Sequence, residues 1–289
     1  HITGAAIEAE AAGTAVNKVH YHGAVPMCGV MGDTELFNQF AAIQVTAQAL
    51  AGQAAVPTPQ WATISAPVTA ALFTTFPSVP TAAGLKFKSV LQNITGGPRP
   101  MFDLGLALPG SSFANIWGSL DGDGTISGIL LDNVLDTNAY TYTIDGDAAG
   151  STALNAAAQK LTVAPNANRL RRDGLRWIPQ INGEISIPVV SIHTLGDLFV
   201  PFSMQQTYRR RVEAKGNGGW LVQRAIRGAN HCDFTVAEQV EAFDAMVKWE
   251  RDGIKPTGDD VLTPATVAAS TYGCTYTRNA LGADDGAGV

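Results

Sequence analysis

"IPVVSIHTLGDLFVP", Ile187 to Pro201, decides how this 289-residue chain is read. Its apolar run, Ile187 to His193, is short and rich in β-branched residues, and it stops at Gly196–Asp197. A run of that length, closed by a turn, is the pattern of a strand buried on both faces. "VPFSMQQTYRRRVEAKGN" comes next, with Met204, Tyr208 and Val212 at i, i+4, i+8, and predicts an amphipathic helix. "GWLVQRAIRGANH" reads as a second strand ending near His231, and "TVAEQVEAFDAMVKWERDG" as a second amphipathic helix. Thr235 with Glu238 three residues on predicts a capping box at its start, and Gly253 its end. Val236, Val240, Phe243, Met246, Val247 and Trp249 are expected to lie largely on one face of it. Strand, helix, strand, helix at this spacing is a βαβ unit, hence parallel strands with covered faces.

In such sheets chemistry gathers at the carboxyl ends of strands. Asp197 and His231 each sit just past one. Adjacent strands lie about 4.8 Å apart, so loops leaving the same ends can bring the two side chains together. A carboxylate bonded to one imidazole nitrogen fixes the tautomer and leaves the other nitrogen free to take a proton. Singly, an Asp after Gly is a turn residue and a His after a strand is a loop residue. Paired across one helix and one strand, they read as acid and general base.

"IPVVSIHTLGDLFVP", "GANHCDFT" (Gly228 to Thr235) and "AFDAMVKWERDGIKPTGDDV" together resemble the closing third of an α/β-hydrolase. The likeness is strongest over 185–262, extends to 1–50, and fades over 55–175, where that family often carries a cap. It implies an α/β fold: a parallel-sheet α/β-hydrolase core, late strands only, with a large and mainly helical cap insertion. Residues 1–33 and 181–262 would form the core, 34–180 the cap and 263–289 a tail. Family order is nucleophile, acid, His. This implies a serine hydrolase acting on carboxylic esters, with Asp197 as acid and His231 as base. A serine peptidase of the prolyl-oligopeptidase type, or a non-catalytic hydrolase-fold binding module, are the other readings.

The family's G-x-S-x-G elbow is absent from this sequence. Ser111 and Ser112, in "PGSSFANIWG", lack a preceding buried strand. "HITGAAIE", His1 to Glu8, resembles the helix just after that elbow, and no initiator Met or signal peptide is visible. The expectation is a chain that starts just after its nucleophile, with the serine and both oxyanion amides in a missing N-terminal part of the same protein. The strand read over Lys18 to Val30 would then be an unpaired edge, and the chain alone would be inactive and poorly behaved. Asp33, in "CGVMGD", is the alternative acid, or else a turn or N-cap residue.

Cys28, Cys232 and Cys274 allow one internal bridge and leave one thiol. Cys28–Cys232, Cys274 with either partner, and three free thiols all remain open on spacing. Tannase-like and feruloyl-esterase-like enzymes set a Cys beside the triad His, and this chain resembles them in Cys232, which favours Cys28–Cys232 as the disulfide. Their partner Cys lies next to the serine, so the likeness is partial. No Cys/His grouping has zinc spacing, and no organic cofactor or metal is expected.

With 46% apolar and 15% charged residues the chain is a folding, globular sequence. Its net charge of −6, with no basic cluster longer than "RLRR" or "RRR", speaks against nucleic acid. No apolar run reaches the roughly 18–20 residues of a membrane span. The expected partner is a small-molecule ester, and composition with cysteine use suggests a secreted protein. "SLDGDGTIS", Ser119 to Ser127, resembles a calcium loop but lacks the first and twelfth ligands, so a glycine-rich turn is expected. His20, His22 and His193 are expected to be structural. Trp61, Trp117, Trp177, Phe73, Phe76 and Phe102 are expected in the cap core, with some lining an apolar acyl pocket.

Overall fold

The computed structural model describes residues 1–16, 19–120, 135–165, 179–283 and 285. Trp177, "RLRR" and the calcium-like loop from residue 121 onward lie outside them. In chain order the helices are α1 (Ile2–Ala11), α2 (Glu35–Leu50), α3 (Trp61–Leu72), α4 (Ala82–Ile94), α5 (Phe102–Ala107), α6 (Ser112–Ser119), α7 (Ala148–Ala157), α8 (Ser203–Ala214), α9 (Val236–Asp252) and α10 (Pro264–Val267). The strands are β1 (Phe73–Thr75), β2 (Val79–Pro80), β3 (Val189–Thr194) and β4 (Leu221–Ile226). No described helix is long and apolar enough to cross a membrane.

Two compact units divide the chain: His1–Asp33 with Gly96–Gly105 and Pro179–Val289, and Thr34–Thr95 with Leu106–Ile178. In the first, β3 and β4 pair in parallel from Val189↔Leu221 to Thr194↔Ile226, with α8 as the crossover. Every β3 residue is buried, and in β4 all but Arg224. Side chains alternate between two apolar layers. Val189 and Leu221 pack with Ile7 of α1 and with Tyr208 and Val212 of α8. Val190, Ile192 and Val222 pack with Ala242, Met246 and Trp249 of α9.

The strand expected over Lys18 to Val30 contracts to two parallel bridges, Ala24↔Val189 and Met27↔Ile192. Pro26 has no N–H to give β3, and Cys28 turns out of the ladder at φ 45°. What remains is Ala24 N–H to Pro188 C=O, Val190 N–H to Ala24 C=O, Ile192 N–H to Pro26 C=O and Cys28 N–H to Ile192 C=O, all 2.9–3.0 Å.

Helix α9 begins in the full capping box of Thr235 and Glu238 and ends at Gly253, φ 68°. Its apolar face is split, however. Ala242, Met246 and Trp249 are buried, whereas Val236, Val240 and Phe243 are 39%, 50% and 53% exposed. Apolar positions cover an arc wider than the one the sheet can take, so one edge of the stripe lies on the sheet and the other stands in solvent.

Residues 96–105 and the tail belong to this first unit, not to a cap and a free end. Arg99, buried, donates Nε–H to Leu195 C=O at 2.7 Å and lies over the Phe102 ring. Val267 and Tyr272 pack with Leu195, Phe202 and Ala225.

In the second unit Ala41, Ala42 and Val45 of α2, Val90 of α4 and Leu154 of α7 form one core with Tyr142 and Ile144. Trp61, Phe73, Phe87, Phe113 and Trp117 form a second, largely edge-to-face cluster. β1 and β2 pair antiparallel. The helix read into "STALNAAAQKLTVAPNANRLRR" stops at Ala157, because Ala158 is extended.

Candidate active site

Two glycines decide how the strand ends meet. Gly196, after β3, donates its N–H to Gly228 C=O, after β4, at 2.9 Å. A Cβ on Gly196 would stand 2.6 Å from Ala229 O, and one on Gly228 2.6 Å from Asp233 O. Only backbone fits in that contact, so the turns after β3 and β4 lie directly against each other.

Across it, His231 Nδ1 lies 2.7 Å from Asp197 Oδ2. Asp197 is wholly buried, while the His231 side chain is 34% exposed. The other oxygen of Asp197, Oδ1, accepts the N–H groups of Phe199 at 2.8 Å and Val200 at 2.9 Å. Three donors thus converge on the buried Asp197 carboxylate and fix its orientation. With Nδ1–H pointed at the acid, Nε2 carries the lone pair. Cys232 Sγ stands 3.4 Å from Nε2, but a disulfide sulfur has no proton to give, so this is a packing contact that leaves the lone pair available. The Phe199 ring packs on the imidazole with centroids 5.3 Å apart.

The loop carrying His231 is anchored from three sides. Asp233 Oδ2 accepts from Ala229 N–H and Asn230 N–H. Thr194 Oγ1 donates to Asn230 C=O at 2.8 Å. Cys232 is in a disulfide with Cys28, Cα atoms 5.3 Å apart, and both cysteines take left-handed backbone at φ 54° and 45°. Cys274 is free and exposed. The two bridged sulfurs and His231 Nε2 cluster, but disulfide sulfur is no thiolate, so this is no metal cradle. Among the described residues no other His, Cys, Asp or Glu group gathers for an ion.

Asp33 is placed elsewhere. Its Oδ2 accepts Arg211 Nη1 at 2.7 Å and Ile181 N–H at 3.1 Å, which ties the end of the 24–33 segment to α8. Ser111 is the N-cap of α6, its Oγ accepting Ala114 N–H. His20 and His22 are surface residues beside Glu10 and Glu250. Trp61 and Trp117 are buried, and with Phe73 and Phe76 they edge an open cavity of about 650 Å³ in the second unit.

Two groups beside Asp197 escape sequence reasoning. Arg99 is a buried cation whose pKa is pushed down to about 9 by burial, against the opposing pull of Asp197. His193 is 1% exposed and places Nε2 4.0 Å from Asp197 Oδ2. Burial lowers its pKa most, and Asp197 pulls the other way. The i, i+4 spacing of His193 and Asp197 is visible in the sequence, but a strand that runs into a tight turn gives no periodic reason to join them.

No protein-family model matches the chain, and no solved structure matches it. An o-phthalyl amidase of Xanthobacter agilis is 29% identical to it over 90 residues, 31% of this chain and 20% of that protein. The chain thus spans about a fifth of the length of that relative. The likeness is to a hydrolase.

Proposed function

We propose that this chain carries the acid and base of a serine hydrolase of the α/β-hydrolase type that cleaves carboxylic esters. The observation that supports it most is the 2.7 Å contact between buried Asp197 and partly exposed His231 at the ends of adjacent parallel strands. In the proposed reaction His231 Nε2 takes the proton of a serine hydroxyl as the oxygen attacks the ester carbonyl. The imidazolium, stabilised through Nδ1–H by Asp197, then returns that proton to the leaving alkoxide. Water repeats the cycle on the acyl-enzyme.

The serine is proposed to come from polypeptide ahead of His1. A Cβ on Gly29 would lie 3.1 Å from the His1 nitrogen, and Gly29 adjoins the cystine that carries Cys232 beside His231. That chain of neighbours supports a residue just ahead of α1 as the proposed nucleophile. No metal or organic cofactor enters the proposed reaction.

The name of the relative supports a second reading, hydrolysis of an amide by the same acid and base. Sequencing the DNA upstream of His1 for G-x-S-x-G, and assaying the longer product on p-nitrophenyl esters and amino-acyl anilides, separates the two. His231→Ala should lower turnover by about 10⁴-fold or more. A loss of only a few-fold would refute His231 as the base, whereas a longer product with no turnover on either substrate would leave a binding module in a hydrolase fold as the reading.

A further inference from the structure

One chain of hydrogen bonds beneath the sheet has a direction that its own chemistry dictates. It starts at Arg209 on α8, whose guanidinium can only donate. Arg209 Nε–H gives to Gln223 Oε1 at 2.9 Å, so the amide nitrogen of Gln223 must face the other way. That nitrogen gives to Gln205 Oε1 at 2.8 Å, which also accepts Ser191 Oγ–H at 3.0 Å. Gln205 Nε2 therefore faces His193 Nδ1, at 3.3 Å. His193 Nδ1 must accept, its proton lies on Nε2, and Nε2–H donates to Val200 C=O at 2.7 Å. Val200 in turn gives its N–H to Asp197 Oδ1. Two backbone carbonyls agree with this order: Gln205 C=O accepts Gln223 Nε2–H at 2.8 Å, and Val200 C=O, an acceptor only, requires the proton on His193 Nε2.

We propose that His193 is a positioning residue for Asp197, locked as the neutral Nε2–H tautomer by the Arg209–Gln223–Gln205 chain and acting through Val200. The role of the acid rests on the hydrolase reading; the orientation chain does not. Val200 is gripped at both ends, by His193 at its carbonyl and by Asp197 at its N–H, so the ring fixes the turn that presents amides to Oδ1. Charged and titratable groups facing His193 are Asp197, His231 and Arg99. A neutral His193 also leaves the charge of Asp197 undivided for His231, although Oδ2 lies within 4.0 Å of a nitrogen on each imidazole.

Nitrogen-15 NMR of the histidines in the 289-residue chain tests this directly. His193 should show the Nε2–H tautomer and stay uncharged from about pH 5 to 8, where an ordinary histidine titrates. A His193 that titrates in this range, or carries its proton on Nδ1, overturns the proposal. His193→Phe should abolish the slowly exchanging, low-field Nδ1–H signal of His231, and His193→Gln, which keeps a donor for Val200, should restore it. An unchanged signal in a folded His193→Phe protein also overturns it. If His193→Phe does not fold, the wild-type tautomer decides. In the longer, nucleophile-bearing protein His193→Phe should lower kcat at least about tenfold with KM unchanged. A forced tautomer together with full turnover in His231→Ala would sink Asp197 and His231 as acid and base and leave the orientation chain standing.

Discussion

Asp197, His193 and Gly196 lie within five residues and do three different jobs. Burial lowers the pKa of His193 in the folded chain, against the pull of Asp197, whereas the unfolded chain protonates it below about pH 6.5. Below that pH the unfolded state binds more protons, so stability falls as pH falls, by at most about 1.4 kcal/mol per pH unit for this group. Urea unfolding at pH 7.5 and 5.5 should show a smaller loss in His193→Gln than in wild type. Gly196→Ala pushes a methyl to 2.6 Å from Ala229 O and should cost about 1–3 kcal/mol, read as a lower urea midpoint. Asp197 and His231 can be singled out in the sequence because each closes an apolar run. Gly196 looks like an ordinary turn residue there. Its packing against Ala229 is set by a partner 33 positions on that no local pattern announces, and Arg99 arrives from still farther along the chain.

At the scale of elements, legibility tracks local energetics. Helices α8 and α9 are readable because periodicity and the Thr235–Glu238 capping box are written within each segment. β3 and β4 are readable as bounded apolar runs. The 18–30 segment reads as a continuous strand and is not one, since its apolar content hides that Pro26 cannot donate to a ladder and that Cys28 leaves it. The exposed side of α9 escapes because the width of its apolar arc is visible in sequence, but the width of the surface that receives it is not. The Cys28–Cys232 bridge joins positions 204 apart, and pairing over that range is decided by the fold alone. Closing so long a loop restricts the unfolded chain, so Cys28→Ser/Cys232→Ser should lose about 2–5 kcal/mol of stability. Guanidinium titrations of the oxidised and serine proteins would measure it, and equal midpoints would mean that the bridge constrains little.

Across the whole chain, 46% apolar content suffices for a separate core in each of the two units. The sheet of the first unit nevertheless stops early. Even-numbered residues from Ala24 to Cys28 face β3, so the peptide groups of Val25 and Met27 point away from it, and no described residue bonds to them. Their amides should exchange with solvent at least about 100-fold faster than those of Val190 and Ile192 by hydrogen-exchange NMR, as expected for an open edge. Protection that grows with protein concentration would instead mark strand pairing between copies.

The anchoring of Asp197 has one more consequence. Its Oδ1 is fixed by amides two and three residues along the same turn, whereas His231 hangs on a loop held by a distant cystine and by Asp233. The acid is therefore oriented before the imidazole arrives, and it stays oriented if the imidazole leaves. Mild heat or reductant should release His231 first, well before the sheet melts, so that loss of the Asp197–His231 contact and loss of fold become separable events in this molecule.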